Sequence, residues 1–168
     1  MLEAEHSKAQ CDRIVRYVGG DLDRFAELID AFISGPGRIT QCAAWPISYI
    51  AIAHPALVAP HFSDLIRLLG KPGIHDAVKR NILRLLPSVK IPTTRREKVI
   101  ELCFGFLTNH NEPVAVHVFA MEVLGRLLEP YPELLRELAM IIEDQLPYAS
   151  PGYRSRGMKI LKKIKTSR

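Results

Sequence analysis

Several features that would assign a chemistry are missing from this 168-residue sequence. It contains three cysteines, Cys11, Cys42 and Cys103, and no CxxC pair. We therefore predict reduced and mostly buried thiols, not a disulfide framework or a zinc site. The six histidines fall in no HExxH motif or His/Cys cluster at ligand spacing and are interpreted as solvated or capping residues. Phosphate-binding and nucleophile motifs such as GxxxxGK[ST], GxGxxG and GxSxG are also absent, so we expect no cofactor, no metal and no catalytic residue.

Long apolar runs are missing as well. No run approaches the roughly 18 uncharged apolar residues that would cross a membrane. The first residues, MLEAEHSKAQCDR, are acidic and polar where a secretory signal needs a basic start and an apolar stretch. The sequence therefore predicts a cytoplasmic protein outside the membrane. Its 48% hydrophobic and 24% charged residues are typical of a globular chain with its own core.

Apolar residues instead recur at steps of three and four, which is typical of amphipathic helices, and no segment alternates strictly between apolar and polar residues. Asp21 is a predicted N-cap, and Ser150-Pro151 are predicted to cap and open the last helix. Thr94-Arg95-Arg96-Glu97 matches a capping box. Pro46 interrupts a long apolar stretch and is expected to bend its helix without ending it. These signals predict an all-α fold.

Three stretches of the sequence are similar to one another. They are RNILRLL from Arg80, MEVLGRL from Met121 and MKILKKI from Met158. Ile82, Val123 and Ile160 occupy matching positions, so the spacings are 41 and 37 residues. A period near 40 residues, built from two helices with prolines between them, indicates repeats that stack because one hairpin cannot bury its apolar face alone.

Two proline-marked units, AAWPISYIAIAHP and AMEVLGRLLEPYPELL, resemble repeats of the HEAT/armadillo-like superfamily, and the resemblance covers roughly residues 38–168. It implies an all-α, right-handed α-α superhelix, a solenoid of about four stacked helical hairpins. An irregular helix bundle is the alternative. We expect a single domain over residues 1–168, divided into an N-terminal capping hairpin (1–37), three repeats (38–73, 74–112 and 113–150) and a basic C-terminal helix (151–168).

This superfamily includes scaffolds, transport receptors, inhibitors and a few DNA-repair enzymes, so fold alone does not choose a function. Our leading hypothesis is a non-catalytic scaffold or adaptor, monomeric or weakly dimeric, that binds a protein or peptide on its curved surface. Mixed charge on the second helices favours a protein partner. Trp45 and Tyr49, four residues apart on one helix, either line a binding groove or pack in the core. The proposed partner contacts are Arg67, Arg95, Arg96 and Arg136.

Nucleic-acid binding is the alternative hypothesis. Residues 151–168 contain seven Lys and Arg and no Asp or Glu, whereas residues 114–150 contain two basic and six acidic residues. Such banding differs from a uniformly basic nucleic-acid binder. Similarity to HEAT-like DNA glycosylases would further require a carboxylate beside Trp45, and the sequence identifies none. A basic ridge that binds phosphates, or only keeps the array soluble, would consist of Arg84, Arg126, Lys159, Lys162 and Lys163. It would be extended by Arg154, Arg156, Lys165 and Arg168.

Overall fold

A computed structural model describes residues 7–166 of the chain. Over that range the ordered elements are helices and no strand is formed, so the all-α prediction is confirmed. None of the helices in this range is long and apolar enough to cross a membrane. The chain divides into two compact units, one ending at Pro92 and the other beginning at Thr93. That boundary falls inside the predicted repeat 74–112. The repeat ranges, the single-domain organisation and the right-handed sense stay predictions.

The first unit is organised around its third helix. This helix packs against the first, second and fifth helices of the chain, and its residues Ile47 and Ile50 are almost completely buried. It continues through Pro46, as predicted. The helices of the unit are α1 (Lys8–Val18), α2 (Leu22–Ser34), α3 (Gly37–Ala53), α4 (Phe62–Leu69) and α5 (Asp76–Leu85).

Local side-chain caps explain where the first helices begin. The Ser7 hydroxyl accepts a hydrogen bond from the Gln10 amide before α1. The Asp21 carboxylate accepts one from the Arg24 amide at 2.9 Å before α2, so the predicted N-cap is confirmed. Gly19 turns the chain between these helices with a φ of 53°, a conformation that costs glycine little.

The connection between α3 and α4 is longer than a simple turn. The segment Pro55–His61 forms a 3-10 helix. Two of its residues are prolines, which lack the amide hydrogen that a continuing α-helix requires. Short 3-10 turns are a common way to connect helices under that restriction.

A buried polar link joins α3 to α5. The Ser48 hydroxyl lies 2.9 Å from the Trp45 carbonyl oxygen and 3.1 Å from the Asn81 side-chain oxygen. The Asn81 amide group donates a hydrogen bond to the Ala77 carbonyl at 2.7 Å. Both side chains are almost fully buried. Their mutual hydrogen bonding offsets the cost of removing polar groups from water.

The second unit is organised around the seventh helix of the chain, which packs mainly against the sixth and ninth helices. Ser150 caps the last helix, with its hydroxyl 3.4 Å from the Tyr153 amide, as predicted. The predicted capping box is wrong in position, because the helix already begins at Thr93 and Thr94 lies in its first turn. The helices are α6 (Thr93–Thr108), α7 (Val114–Leu127), α8 (Pro132–Gln145) and α9 (Pro151–Thr166). A 3-10 turn follows α8 at Leu146–Tyr148, and another follows α5 in the first unit at Leu86–Ser88.

Candidate functional site

An aromatic and basic cluster lies on the surface of the first unit. The Trp45 and Tyr49 rings are neighbours on α3, with centroids 6.3 Å apart. Arg84 of α5 brings its Cζ atom to 4.5 Å from the Tyr49 ring centroid. The Lys8 Nζ atom of α1 lies 5.1 Å from the same centroid. We call these four residues the Trp45 cluster.

The charges of the Trp45 cluster act on its tyrosine. The Arg84 guanidinium beside Tyr49 is the main cause of a lowered pKa for that phenol. Lys8 also forms a salt bridge with Asp12, one turn along α1. Trp45, Tyr49 and Arg84 are each half-buried. The two rings therefore pack at the edge of the core and keep part of their surface available to a partner.

The four arginines predicted as partner contacts differ in their surroundings. Arg67 is exposed on α4 and forms a salt bridge with Asp64. Arg95 and Arg136 are exposed on α6 and α8. Arg96 is half-buried, and its Nε atom is buried without a hydrogen-bond partner among the described residues.

The residues of the predicted basic ridge are interleaved with acidic ones in the second unit. Helices α7 and α9 pack against each other. Arg156 of α9 contacts Glu122 of α7 at 3.2 Å, and Lys163 shares a small hollow with Glu129. Arg84 belongs instead to the Trp45 cluster, and Arg168 lies outside the described residues. The remaining ridge residues, Arg126, Lys159, Lys162 and Lys163, have exposed side chains.

Sequence reasoning missed a pocket in the second unit. The pocket has a volume of about 350 Å³ and is lined by residues of three segments: the turn between α6 and α7 with the first residues of α7, the end of α8 with the residues after it, and the first turn of α9. Among its lining residues are His110, Glu112, His117, Asp144, Tyr148 and Tyr153.

Two groups in this pocket are buried. His117 is 8% exposed, and its Nε2 atom lies 3.0 Å from the Asn109 carbonyl oxygen. Since a carbonyl oxygen only accepts, Nε2 carries the proton of that bond. Tyr153 is 3% exposed and packs edge-to-face on His117, with ring centroids 6.1 Å apart. Its hydroxyl is buried and makes no hydrogen bond to any residue between 7 and 166.

The interpretation of the histidines as solvated or capping residues is correct for some of them and incomplete for others. The His75 ring accepts a hydrogen bond from the Ala77 amide at the start of α5. His54 is exposed, whereas His117 is buried in the pocket wall. His6 lies outside the described residues. His110 and His117 are seven residues apart around a turn, a spacing that could have drawn attention to this part of the chain.

The cysteines are free and buried, as predicted. Burial raises the pKa of Cys11 to about 11 and that of Cys103 well above its ordinary value, which disfavours thiolate chemistry. Within the described part of the chain, no three His, Cys, Asp or Glu side chains gather in a way that could hold a metal ion.

Comparison with known proteins gives one match. A family model described as a HEAT repeat domain matches residues 1–164. Neither the curated proteins nor the solved structures include one that matches this chain. The match covers almost the whole chain, beyond the range of roughly 38–168 over which the sequence motifs indicate the resemblance.

Proposed function

This chain belongs to the HEAT repeat domain family, and on that premise we propose that it is a non-catalytic scaffold that binds a protein or peptide partner. We further propose that the Trp45 cluster is the centre of the binding surface. Stacked helical repeats offer extended surfaces that such proteins use for recognition. The proposal needs no cofactor and no nucleophile.

The observation that carries this proposal is the meeting of Trp45, Tyr49 and Arg84 at a half-buried surface. Tryptophan, tyrosine and arginine are the residue types most enriched where binding energy concentrates in protein interfaces. Here they come from two helices and contact one another, so their side chains are already ordered before a partner arrives. Pre-ordered side chains lose less entropy on binding.

The charge of the cluster indicates which partners it would favour. Lys8 and Arg84 both lie over the Tyr49 ring. Asp12 forms a salt bridge with Lys8 and offsets its positive charge, so Arg84 is the main cation of the cluster. We expect a segment with an apolar or aromatic residue for the rings and an acidic residue within reach of Arg84. HEAT-like DNA glycosylases would use a carboxylate beside their aromatic residues. Asp12 is the acidic residue next to this cluster, and it forms a salt bridge with Lys8, so we assign it no such role.

The predicted arginines on the second helices are proposed as separate partner contacts, each within its own unit: Arg67 in the first unit and Arg95, Arg96 and Arg136 in the second. Arg67, Arg95 and Arg136 are suitable for charge reversal because their side chains are exposed. Arg96→Glu is a poor test, because the Arg96 Nε atom is buried and a carboxylate there would lose hydration as well as a contact. Arg95→Glu is therefore expected to weaken binding without unfolding the chain.

The proposal is tested with peptides selected from a random library on the immobilised protein. The affinity of each labelled peptide is measured by fluorescence anisotropy for the wild type, Trp45→Ala and Arg84→Met. Arg24→Met is the matched control, because Arg24 also covers a tyrosine in this unit, with its Cζ atom 4.6 Å from the Tyr17 ring centroid. We expect both cluster variants to weaken binding and the control to leave it unchanged.

Two results would count against the proposal. One is a selection that yields no peptide with saturable binding. The other is a set of peptides that bind Trp45→Ala and Arg84→Met as tightly as the wild type. Circular dichroism melting of each variant separates a lost contact from a lost fold.

Nucleic-acid binding remains a second candidate because α9 presents exposed Lys159, Lys162, Lys163 and Lys165 and residues 151–168 contain no acidic residue. Phosphate contacts would make the affinity fall steeply as salt rises. Anisotropy of labelled duplex and single-stranded oligonucleotides at low and physiological salt tests this. Salt-sensitive binding that Lys159→Glu plus Lys163→Glu abolishes would support the candidate, and absence of binding at low salt would exclude it.

A further inference from the structure

Helices α8 and α9 of the second unit expose faces of opposite charge. Helix α8 carries four exposed acidic side chains and a single basic one, whereas α9 carries exposed Lys and Arg side chains and no acidic residue. The two helices pack against each other, so the two faces are neighbours on one unit. An acidic face beside a basic face is complementary to a second molecule that presents the same two faces in exchanged order.

Each of these faces also has an exposed methionine. Met140 of α8 is 62% exposed and Met158 of α9 is 58% exposed, whereas Met121 of α7 is completely buried. Methionine is enriched in protein interfaces, and its flexible apolar side chain adapts to the surface that covers it. A partner that covers both faces would therefore remove two large apolar side chains from water, which favours association.

The exposed residues of α8 form a continuous stripe along the helix, which we call the acidic stripe. Glu133, Glu137, Met140 and Asp144 follow one another at steps of four, three and four residues, a spacing that places them on one side of a helix. All four side chains are exposed, whereas Ile142 on the other side of the helix is buried. The three carboxylates form no salt bridge with any residue between 7 and 166, so their charges are available to a partner.

The exposed residues of α9 form a second stripe, which we call the basic stripe. Arg154, Met158, Lys162 and Lys165 follow one another at steps of four, four and three residues, and all four are exposed. Ile164 lies on the other side of this helix and is buried. Arg154 donates hydrogen bonds to two carbonyl oxygens of the preceding turn at 3.0 and 2.8 Å, which holds its guanidinium group in place. Lys162 and Lys165 form no salt bridge within the described part of the chain.

The two stripes match each other when the helices run in opposite directions. Counted forward from Glu133, the other members of the acidic stripe lie 4, 7 and 11 residues away, and counted back from Lys165 those of the basic stripe lie 3, 7 and 11 residues away. The two series differ by at most one residue, about 1.5 Å of helix length. A parallel arrangement would instead place each methionine against a charged residue. In the antiparallel arrangement the facing pairs are Glu133 with Lys165, Glu137 with Lys162, Met140 with Met158, and Asp144 with Arg154.

We propose that this chain forms a dimer in which the acidic stripe of each copy binds the basic stripe of the other copy in antiparallel orientation. Because α8 and α9 are neighbours, a two-fold axis makes the same contact twice, and this is the commonest symmetry of protein dimers. A nucleic acid would use the lysines of α9 as well, but it would leave the acidic stripe of α8 and the exposed methionines unexplained. The dimer goes beyond the scaffold function proposed above and does not depend on the Trp45 cluster, because both stripes belong to the second unit.

Sedimentation velocity of the full, nuclease-treated chain tests the proposal at protein concentrations from about 5 to about 500 µM. We expect a monomer–dimer equilibrium with a dissociation constant of about 100 µM or below at roughly 50 mM salt, as for a small, transient interface. At roughly 0.5 M salt the dissociation constant should be at least about tenfold higher, because salt screens charges that are exposed on both copies.

A charge exchange between the two stripes locates the interface. Glu137→Lys and Lys162→Glu reverse two positions that face each other, and each variant alone should raise the dissociation constant roughly tenfold, because two like-charge pairs form in its dimer. An equimolar mixture of the two variants should associate about as tightly as the wild type, because opposite charges face each other again. A single reversal shifts the net charge of +5 by only two, so both variants stay positive and general attraction between them does not explain such a rescue.

Two further variants separate the stripes from the rest of the surface. Glu27→Lys reverses an exposed carboxylate on α2 of the first unit, and it is the matched control that should leave the dissociation constant unchanged. Met140→Gln changes no charge and should weaken association roughly fivefold, because less apolar surface is buried. Circular dichroism melting establishes that each variant is folded.

Three outcomes would overturn the proposal. They are a wild type that stays monomeric up to about 500 µM at low salt, folded charge variants that associate as tightly as the wild type, and a mixture of the two variants that associates no better than either alone. Association seen only before nuclease treatment would assign the lysines of α9 to nucleic acid and would equally overturn it. A failure of peptide binding at the Trp45 cluster would leave the dimer untouched, so the two proposals fail separately.

Discussion

Replacing Arg84 by methionine removes one charge from the Trp45 cluster and keeps an unbranched side chain against the rings. The Arg84 Cζ atom lies 4.5 Å from the Tyr49 ring centroid, within the range of a cation–π contact. At a half-exposed site such a contact contributes about 0.5–1 kcal/mol to stability. The melting temperature of the variant is therefore expected to fall by about 2–4 °C at most. A binding hot spot, by contrast, typically costs about 2 kcal/mol or more when it is truncated.

Two free-energy changes caused by Arg84→Met are compared: the change in folding stability and the change in peptide binding. Their relative size shows whether Arg84 serves mainly packing or mainly recognition. Urea unfolding followed by far-ultraviolet circular dichroism gives the stability change, and Arg24→Met gives the same measurement for the Arg24–Tyr17 contact. A double-mutant cycle of Arg84→Met with Tyr49→Leu isolates the pair, and we expect a coupling of about 0.5–1 kcal/mol.

Two results would refute this reasoning. A stability loss above about 3 kcal/mol would show that Arg84 holds the core of the first unit, as truncations of buried residues do. A coupling indistinguishable from zero would show that the guanidinium and the Tyr49 ring do not interact in solution.

Three further predictions concern residues inside the helices. Gly105→Ala should raise the free energy of unfolding by about 0.5–1 kcal/mol, because Gly105 lies inside α6 with open space around its missing Cβ. Gly157→Ala should lower the free energy of unfolding, since a Cβ there would come 2.9 Å from a side-chain carbon of α8. Urea unfolding of the two alanine variants shows whether their stability changes have opposite signs. Ser48→Ala should cost about 1–3 kcal/mol, because Asn81 loses the hydroxyl 3.1 Å from its oxygen, whereas the double variant Ser48→Ala with Asn81→Leu should recover part of that loss. A double variant that is less stable than Ser48→Ala alone would show that packing, not the unpaired oxygen, sets the cost.

The helical architecture was predictable because its signals are local. Asp21 and Ser150 each cap a helix through a hydrogen bond to a residue three positions later, so the sequence carries the whole interaction. The start of α6 was less predictable: a capping box with Thr94 as the N-cap would open the helix at Arg95, yet the helix begins two residues earlier, at Thr93. End positions depend on tertiary packing as well as on the cap.

The sites were less predictable because they depend on residues distant in sequence. The Tyr49 and Arg84 side chains meet because α3 packs on α5. From the sequence, Tyr49 was predicted to line a binding groove and Arg84 to belong to the basic ridge, so their contact was not expected. Asn81 sits in an apolar stripe, and only the position of Ser48 explains why a polar residue is tolerated there. The pocket needs His117 and Tyr153 to come together from two helices. No spacing rule within one helix contains that information.

Partner binding at the Trp45 cluster can be measured with a single selected peptide. The decisive quantity is the ratio of its dissociation constants for Trp45→Ala and for the wild type, at a temperature where melting curves show both proteins to be folded. We expect a ratio of about thirty or more, the equivalent of one hot spot. A ratio close to one for a folded Trp45→Ala, repeated with Arg84→Met, would contradict it and assign these residues to packing alone.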